Sequence, residues 1–431
     1  MTAGSIPAEL TTACADVAAA GVADQVAGVQ ARYVAAPAST DEASALLRAA
    51  AGLGLVVVPR GSGRRLNWAN PPASCDLLVD TRNLDQVLEH AAGDQVLRVQ
   101  AGVMLDDLAK AVATAGQRLA LDPPAGGSVG GVLATNAAGP LRYRYGAPRD
   151  LLIGITIVRA DGTVARSGGK VVKNVAGYDL GKLFAGSYGT LGLITEATFR
   201  LHPRPEQSAW LTLEAANPET AAAAVGAIAD SPLAPSAVEM AWPAADSPLT
   251  VSALLDGDDA SVGVRADRMR AIVDRQLAGV EPAVGPLRQG GPPAGGRELP
   301  DAYGTCIRVA FWTGQLARVL ATIQTAAMAN ELDPAIHGSA GAGVLQVEVP
   351  AGKPADAVAR FVTELRAGLA GLSHGSVVPS TASAVVLYAP RNIRDAVDLW
   401  GPVPSLSLMR AVKDQFDPGH RMAPGRFAGG I

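Results

Sequence analysis

Apolar positions set the rhythm of the chain. In residues 41–52, Ala43, Leu46, Leu47 and Ala50 recur at helical spacing, with Thr40 as the expected N-cap and Gly52 or Gly54 as the stop. An unbroken apolar run at 55–58 follows and reads as a strand, ending abruptly in Pro59-Arg60-Gly61-Ser62-Gly63. A strand is expected at 77–80, then a hairpin pairing 87–90 with 96–99 about Gly93 and Asp94, then an amphipathic helix at 104–115. Asp161-Gly162, between runs at 151–158 and 163–166, is a strong hairpin signal.

Beyond Pro203-Arg204-Pro205 the texture changes. Residues 210–214, 219–229 and 237–241 read strand, helix, strand, and 251–255 with 262–277 add a strand and a helix. A similar order returns at 306–311, 314–329, 343–349, 355–369 and 383–387, which predicts two related α+β halves. Residues 284–300 between them are dense in Pro and Gly and read as a linker. From 406 the chain reads as a helix followed by a polar closing segment. The expected division is a first domain at 1–204, a second at 205–395, and a C-terminal segment at 396–431 that returns to the first.

Composition narrows the search. With 48% hydrophobic but 4% aromatic residues, 48 Gly and 30 Pro, the core is built from small aliphatics, and function is sought where glycines cluster. A formal charge of −4 and no basic run with interleaved aromatics argue against a nucleic-acid partner. Cys14, Cys75 and Cys306 are scattered, so no zinc or iron–sulfur site is expected from this chain alone. The first residues lack the basic start of a signal peptide, and no apolar run approaches the ~20 residues that span a bilayer. A cytoplasmic protein is expected, reaching a membrane only peripherally and through partners.

Three glycine-rich stretches carry the candidate chemistry. The first, Pro59, Arg60, Gly61, Ser62, Gly63 and Arg64, follows a strand and suits a pyrophosphate, although an ordinary strand-to-loop turn has the same look. The second is richer: Pro123, Gly126, Gly127, Ser128, Val129, Gly130, Gly131, Ala134, Thr135, Asn136 and Gly139 allow a flat or phosphorylated group to approach the backbone. The third places Gly186, Gly189, Thr190, Gly192 and Ile194 at the entry to an apolar strand. Three such cradles imply a long ligand touched along its length.

Together with the string Lys-Asn-Val-Ala-Gly-Tyr-Asp-Leu at 173–180, these stretches resemble the FAD-linked oxidases of the vanillyl-alcohol oxidase, or PCMH, type. Within that family the signature is most similar to the FAD-binding E subunits of bacterial glycolate oxidases. The resemblance implies a two-part FAD-binding domain with an α+β cap, ferredoxin-like and duplicated. It further implies FAD held by the first two stretches at its pyrophosphate and isoalloxazine edge, and by the third at its adenosine. Many relatives attach the flavin through a histidine just after the first loop; Arg64 stands there, so FAD is expected to bind non-covalently. Cys75 is a conceivable thioether site, beside its plainer reading as an inert buried thiol.

Oxidising a 2-hydroxy acid needs a cation for the carboxylate and a base for the hydroxyl. Arg142, Arg144 and Arg149 are the nearest candidates for the clamp, against an ion-pair role on the surface. Among the histidines, His337 sits between expected strands of the cap with small neighbours, although a lone histidine is more often structural. Lys173 and Tyr178 enter by resemblance, against the reading of a helix start with a packed aromatic. The metal-type histidine motif of the family's catalytic D subunit is absent from this sequence.

Three functions follow. The leading one is a flavin subunit of a 2-hydroxy-acid dehydrogenase complex that passes electrons to an iron–sulfur subunit and works beside a second flavoprotein. The next is a self-sufficient oxidase or dehydrogenase of a hydroxy acid, alditol or sugar lactone. The third is a flavin-binding scaffold without turnover of its own.

Overall fold

The computed structural model describes residues 5–169, 179–278, 287–290, 304–372 and 382–431. The chain forms two compact units: Met1–Ala138, Gly146–Arg204 and Pro402–Ile431 make the first, and Gly139–Tyr145 with Pro205–Gly401 make the second.

Beside two short two-stranded sheets, the first unit holds two larger ones. One contains β1 (Val17–Ala19), β2 (Tyr33–Ala35), β3 (Val57–Arg60) and β4 (Leu77–Asp80), in the order β1-β2-β4-β3, with β2, β4 and β3 parallel. The parallel pairing needs a crossover between β2 and β3, and helix α1 (Thr40–Gly52) supplies it. Its Ala43, Leu46, Leu47 and Ala50 are fully buried, as the spacing requires, and each leucine contributes roughly 1.5–3 kcal/mol of burial. The N-cap is Ser39 rather than Thr40: Ser39 Oγ accepts from Glu42 N at 3.0 Å. Thr40 instead donates its hydroxyl to Thr195 Oγ1 at 3.0 Å, so a tertiary partner outcompetes the local cap.

The second sheet is antiparallel, with β5 (Val87–Ala91), β6 (Val96–Gln100), β7 (Leu152–Val158), β8 (Val164–Gly168) and β9 (Leu193–Arg200) in the order β8-β7-β9-β6-β5. Helix α2 spans Leu105–Ala113. The second glycine-rich stretch is not wholly a loop, because Val129–Thr135 forms helix α3 despite Gly130 and Gly131. Tertiary burial overrides their poor helix propensity: Val129, Val132 and Leu133 are fully buried.

The second unit is one eight-stranded antiparallel sheet built twice from the same pattern. Its first half runs β10 (Gln207–Ala215), α4 (Pro218–Ala229), β11 (Ala237–Trp242), β12 (Leu249–Gly257), α5 (Asp259–Gln276), β13 (Arg288–Gly290). Its second half runs β14 (Thr305–Ala310), α6 (Leu316–Ala329), β15 (Ala335–Ser339), β16 (Val344–Val349), α7 (Ala355–Ala370), β17 (Ser383–Tyr388). Each half is a β-α-β-β-α-β ferredoxin-like unit. The strand order β13-β10-β12-β11-β15-β16-β14-β17 joins them through β11 and β15, where Met240 pairs with Gly338 and Ala241 with His337.

Within the expected linker, Arg288–Gly290 is an edge strand whose Gln289 pairs with Leu211, so these three residues belong to the sheet. Leu287 just before them is buried in the core, and residues 284–286 and 291–300 lie outside the described residues. Alternate strand positions, such as Leu211, Val251, Ile307 and Val347, face the helices in a single apolar core. The positions between, among them Glu239, Ser252, Arg308, His337, Gln346 and Glu348, stand on the opposite face beside apolar Ala237, Ala241 and Leu254.

Candidate functional site

All three glycine-rich stretches of the first unit border one open cleft. Pro59, Arg60, Gly61, Ser62, Gly63 and Arg64 line one part of it. Gly130, Gly131, Ala134 and Thr135 from α3 line another, and Gly189, Gly192 and Ile194 a third. Arg65, Leu66, Thr81, Tyr188, Leu193 and Arg426 also border the cleft, and the sequence reading had given none of these a role.

The first and second stretches are stitched together. Ser62 N donates to Ser128 Oγ at 3.1 Å, and Ser128 N donates to Ser62 Oγ at 3.3 Å. A Cβ at Gly61 would collide with Ser128 Oγ, so glycine there is what lets the loops approach. Gly189 does the same for the third stretch: its Cβ would lie 3.1 Å from the Pro59 ring, at φ +78°.

Arg65 fastens the pair further. It is buried, donating from Nη1 to Gly126 O at 2.8 Å and from Nη2 to Pro124 O, with its guanidinium 5.5 Å over the Trp68 ring. Burial, then repulsion from Arg64, pulls its pKa down to about 10. Its Nε has no partner among the described residues.

The structure divides the expected cations. Arg60 is committed to protein carboxylates: Nη1 lies 2.8 Å from Asp24 Oδ1, and Nη2 lies 2.8 Å from Asp80 Oδ2. Arg82 also bonds Asp80, at 2.7 Å. Burial of Asp80 favours its neutral form, but the bonds from Arg82 and Arg60 outweigh it and hold the carboxyl below its ordinary range. Arg64 is exposed, makes no hydrogen bond or ion pair among the described residues, and lines the cleft. The N–H groups of Gly63 and Arg64 are likewise unpaired among the described residues.

These observations fit FAD. An anionic pyrophosphate needs donors not consumed by the protein, and Gly63, Arg64 and the Arg64 guanidinium supply them. The start of α3 does not, because Val129 N and Gly130 N donate to Val103 O and Ala101 O.

The other expected contacts lie off the cleft lining. Pro123, Gly126, Gly127, Ser128 and Val129 form the wall that Arg65 and Ser62 hold. Asn136 ends α3 at φ +49° and accepts from Arg149 N at 3.2 Å. Gly186 N donates to Leu133 O, Thr190 is buried, and Gly139 belongs to the second unit. Cys75 is buried outside the cleft lining, and burial pushes its thiol up to about 12.

In the second unit His337 sits on β15, 6% exposed, on the sheet face opposite the helices. Its Nε2 is 3.1 Å from Glu348 Oε1, a close approach without good hydrogen-bond angles. Register carries His337 across to Gln346 on β16 and from there to Arg308 on β14. Arg308 makes no hydrogen bond or ion pair among the described residues. Arg144 is also in this unit, with Nη1 3.4 Å from Ala234 O and its guanidinium 5.7 Å over Tyr145. Arg149 belongs to the first unit, and Lys173 and Tyr178 lie outside the described residues. Among the described residues no group of three or more His, Cys, Asp or Glu could hold a metal, and no helix is long and apolar enough to cross a membrane.

Residues 31–168 match the family described as FAD binding domain. An uncharacterized FAD-linked oxidoreductase of Mycobacterium tuberculosis is 40% identical over 208 residues, covering 48% of this chain and 45% of that protein. The glycolate oxidase subunit GlcD of Bacillus subtilis is 37% identical over 208 residues, covering 48% and 44%. The chain thus spans about half the length of the curated relatives it matches. Among solved structures, p-cresol methylhydroxylase with bound substrate superposes with a TM-score of 0.71 at 14% identity, over 97% of this chain and 95% of that one. That likeness is one of fold.

Proposed function

We propose, for a chain whose first unit belongs with the FAD-linked oxidases of the vanillyl-alcohol oxidase type, that the protein is an FAD-dependent oxidoreductase of a small 2-hydroxy acid. In this reading it is the flavin subunit of a complex that hands electrons to an iron–sulfur partner. The observation that carries the reading is the meeting of three glycine-built segments around one cleft, where the N–H groups of Gly63 and Arg64 and the Arg64 side chain have no partner among the described residues. The likeness to a glycolate oxidase subunit supports the substrate class and the complex.

Bound FAD supplies the two-electron acceptor. Arg64 and the neighbouring N–H groups would hold its pyrophosphate, while the Ser62–Ser128 and Arg65 bonds keep the wall in place. The acid–base work falls to His337, which would take the hydroxyl proton, with Glu348 stabilising the resulting imidazolium. Arg308, two strands away and so roughly 10 Å across the sheet, would hold the substrate carboxylate in place of Arg144.

The test is purification from native cells followed by anaerobic addition of glycolate or D-lactate. Bleaching of the flavin's visible band in a preparation that also contains an iron–sulfur subunit is expected. Full turnover by the isolated chain with oxygen as acceptor would replace the complex with a self-sufficient oxidase. Failure of every 2-hydroxy acid to reduce the assembled flavin would remove the substrate assignment.

A further inference from the structure

Helix α8, Leu406–Phe416, has one fully buried residue and it is charged: Lys413, on the face that also carries half-buried Leu406, Met409 and Phe416. The Lys413 side chain is 1% exposed and that of Asp417 is fully buried. All three ammonium donors are used. Nζ lies 2.7 Å from Thr190 O, 2.7 Å from Asp417 Oδ2 and 2.9 Å from Met422 O. Asp417 Oδ2 also accepts from Met422 N at 2.7 Å. A buried ion pair is weak evidence for stability, since apolar residues often serve as well; its retention asks for another role.

That role is legible in what the three bonds connect. Thr190 belongs to the 186–192 turn, where Gly186, Tyr188, Gly189 and Gly192 all have positive φ and Tyr188, Gly189 and Gly192 border the cleft. Positive φ is costly for Tyr188 in particular, so the turn needs external support. On one side it hangs from the end of α3, with Gly186 N bonded to Leu133 O and Tyr188 N to Ala134 O. On the other side Lys413, 223 residues away in sequence, ties it to the C-terminal segment.

The same segment reaches the first stretch. Val57 N donates to Arg421 O and Ala423 N to Val57 O, so residues 421–423 run beside β3 just before Pro59. Arg426 donates to Leu66 O and Trp68 O and itself borders the cleft. Phe427 stacks at 6.1 Å on Tyr188, and Phe416 meets Phe184 edge-on at 5.3 Å.

We propose that Lys413 is a positioning residue for FAD: with Asp417 it locks the 186–192 turn to the C-terminal segment and so sets the spacing between the first and third walls of the cleft. This rests on the FAD reading above and adds to it a requirement for a segment remote in sequence from the glycine-rich stretches. Lys413 touches the backbone of the turn rather than the cofactor.

The test uses the full chain stripped of flavin and titrated with FAD, following flavin fluorescence. K413M leaves Asp417 unpaired and buried, so it is accompanied by K413M/D417L, which removes both charges. The double variant also leaves Met422 N–H without its acceptor, so it is expected to melt at a lower temperature yet remain folded, and to bind FAD at least tenfold more weakly, with a visible band shifted toward that of free flavin. Because Cys14, Cys75 and Cys306 are free thiols that would also react, K413C is made in a C14A/C75A/C306A background, alkylated with 2-bromoethylamine in denaturant and refolded; this restores an ammonium at this site and is expected to recover the affinity.

A folded double variant that binds FAD within twofold of wild type would overturn the inference while leaving the FAD reading intact. Wild-type protein that takes up no FAD would defeat the cofactor reading itself. Hydrogen exchange on the wild-type chain decides the matter even where variants fail to fold. FAD is expected to protect amides of 413–422 together with those of 186–192, and protection confined to 186–192 would count against the proposal.

Discussion

Ser62 and Ser128, 66 residues apart, each give the other a backbone N–H and a side-chain oxygen, at 3.1 and 3.3 Å. The exchange welds the loop after β3 to the start of α3, and neither serine needs a ligand to be satisfied. Ser128 is fully buried, so S128A would strand the Ser62 N–H in the wall. We expect a loss of about 1–3 kcal/mol of stability, with weaker FAD binding. Denaturant melts and a flavin titration check both, and unchanged values would show that the weld is incidental.

Arg60 and Arg64 should separate cleanly by mutation. R60A removes the guanidinium that pairs buried Asp80, leaving Arg82 as its remaining partner, and is expected to cost about 1–3 kcal/mol. Arg64 has no hydrogen-bond or ion-pair partner among the described residues, and R64A is expected to leave stability within about 0.5 kcal/mol. Its cost should appear in FAD affinity, roughly tenfold at low ionic strength and less in high salt. The reverse pattern in paired melts and titrations would assign the pyrophosphate to Arg60.

The Asp24–Arg60–Asp80 network also predicts a pH dependence. The carboxyls of Asp24 and Asp80 are both held below their ordinary value of 3.8, Asp24 chiefly by its bond to Arg60. A depressed folded-state pKa means the stabilisation is complete above the unfolded value and is lost as pH falls through the folded one. The wild-type unfolding midpoint should therefore drop below about pH 4, and R60A should flatten that drop. An identical acid limb in both proteins would place the titrating groups elsewhere.

His337 and Arg308 should fail in different ways. H337N removes the proposed base and is expected to slow flavin reduction by roughly 10²–10⁴-fold, with the flavin spectrum intact. R308M, which removes the proposed carboxylate clamp, should chiefly raise KM. Stopped-flow reduction by the substrate distinguishes these, and full-speed reduction in H337N would return His337 to a structural role.

G189V tests the closeness of the first and third walls. Its side chain would press on the Pro59 ring at a backbone φ of +78°, so both contact and conformation oppose it. Loss of flavin on purification from an otherwise folded protein is the expected result. Retention of flavin at wild-type stoichiometry would show that the cleft walls are more pliant than this packing implies.

Local signals were legible in the sequence wherever a segment's own residues settled the matter. The burial of Leu46 and Leu47, the strand at Leu77–Asp80 and the helix at Ala355–Ala370 follow from spacing alone, because a helix or strand repeats its faces at a fixed period. The duplicated order of the second unit could be read the same way, and the glycine runs announced that backbone would be approached closely. What the sequence could not settle were pairings made at a distance.

Arg60 reads as a free cation until Asp24 and Asp80 are brought to it by the parallel sheet. Val129–Thr135 reads as loop until its apolar side chains are buried. Nothing in the sequence around Lys413 announces that Thr190, Asp417 and Met422 surround it. Periodicity reports how a residue stands relative to its own segment. Whether a charge is spent, a turn supported or a cation left for a ligand depends on which distant segments the topology makes neighbours, and only the tertiary structure decided that.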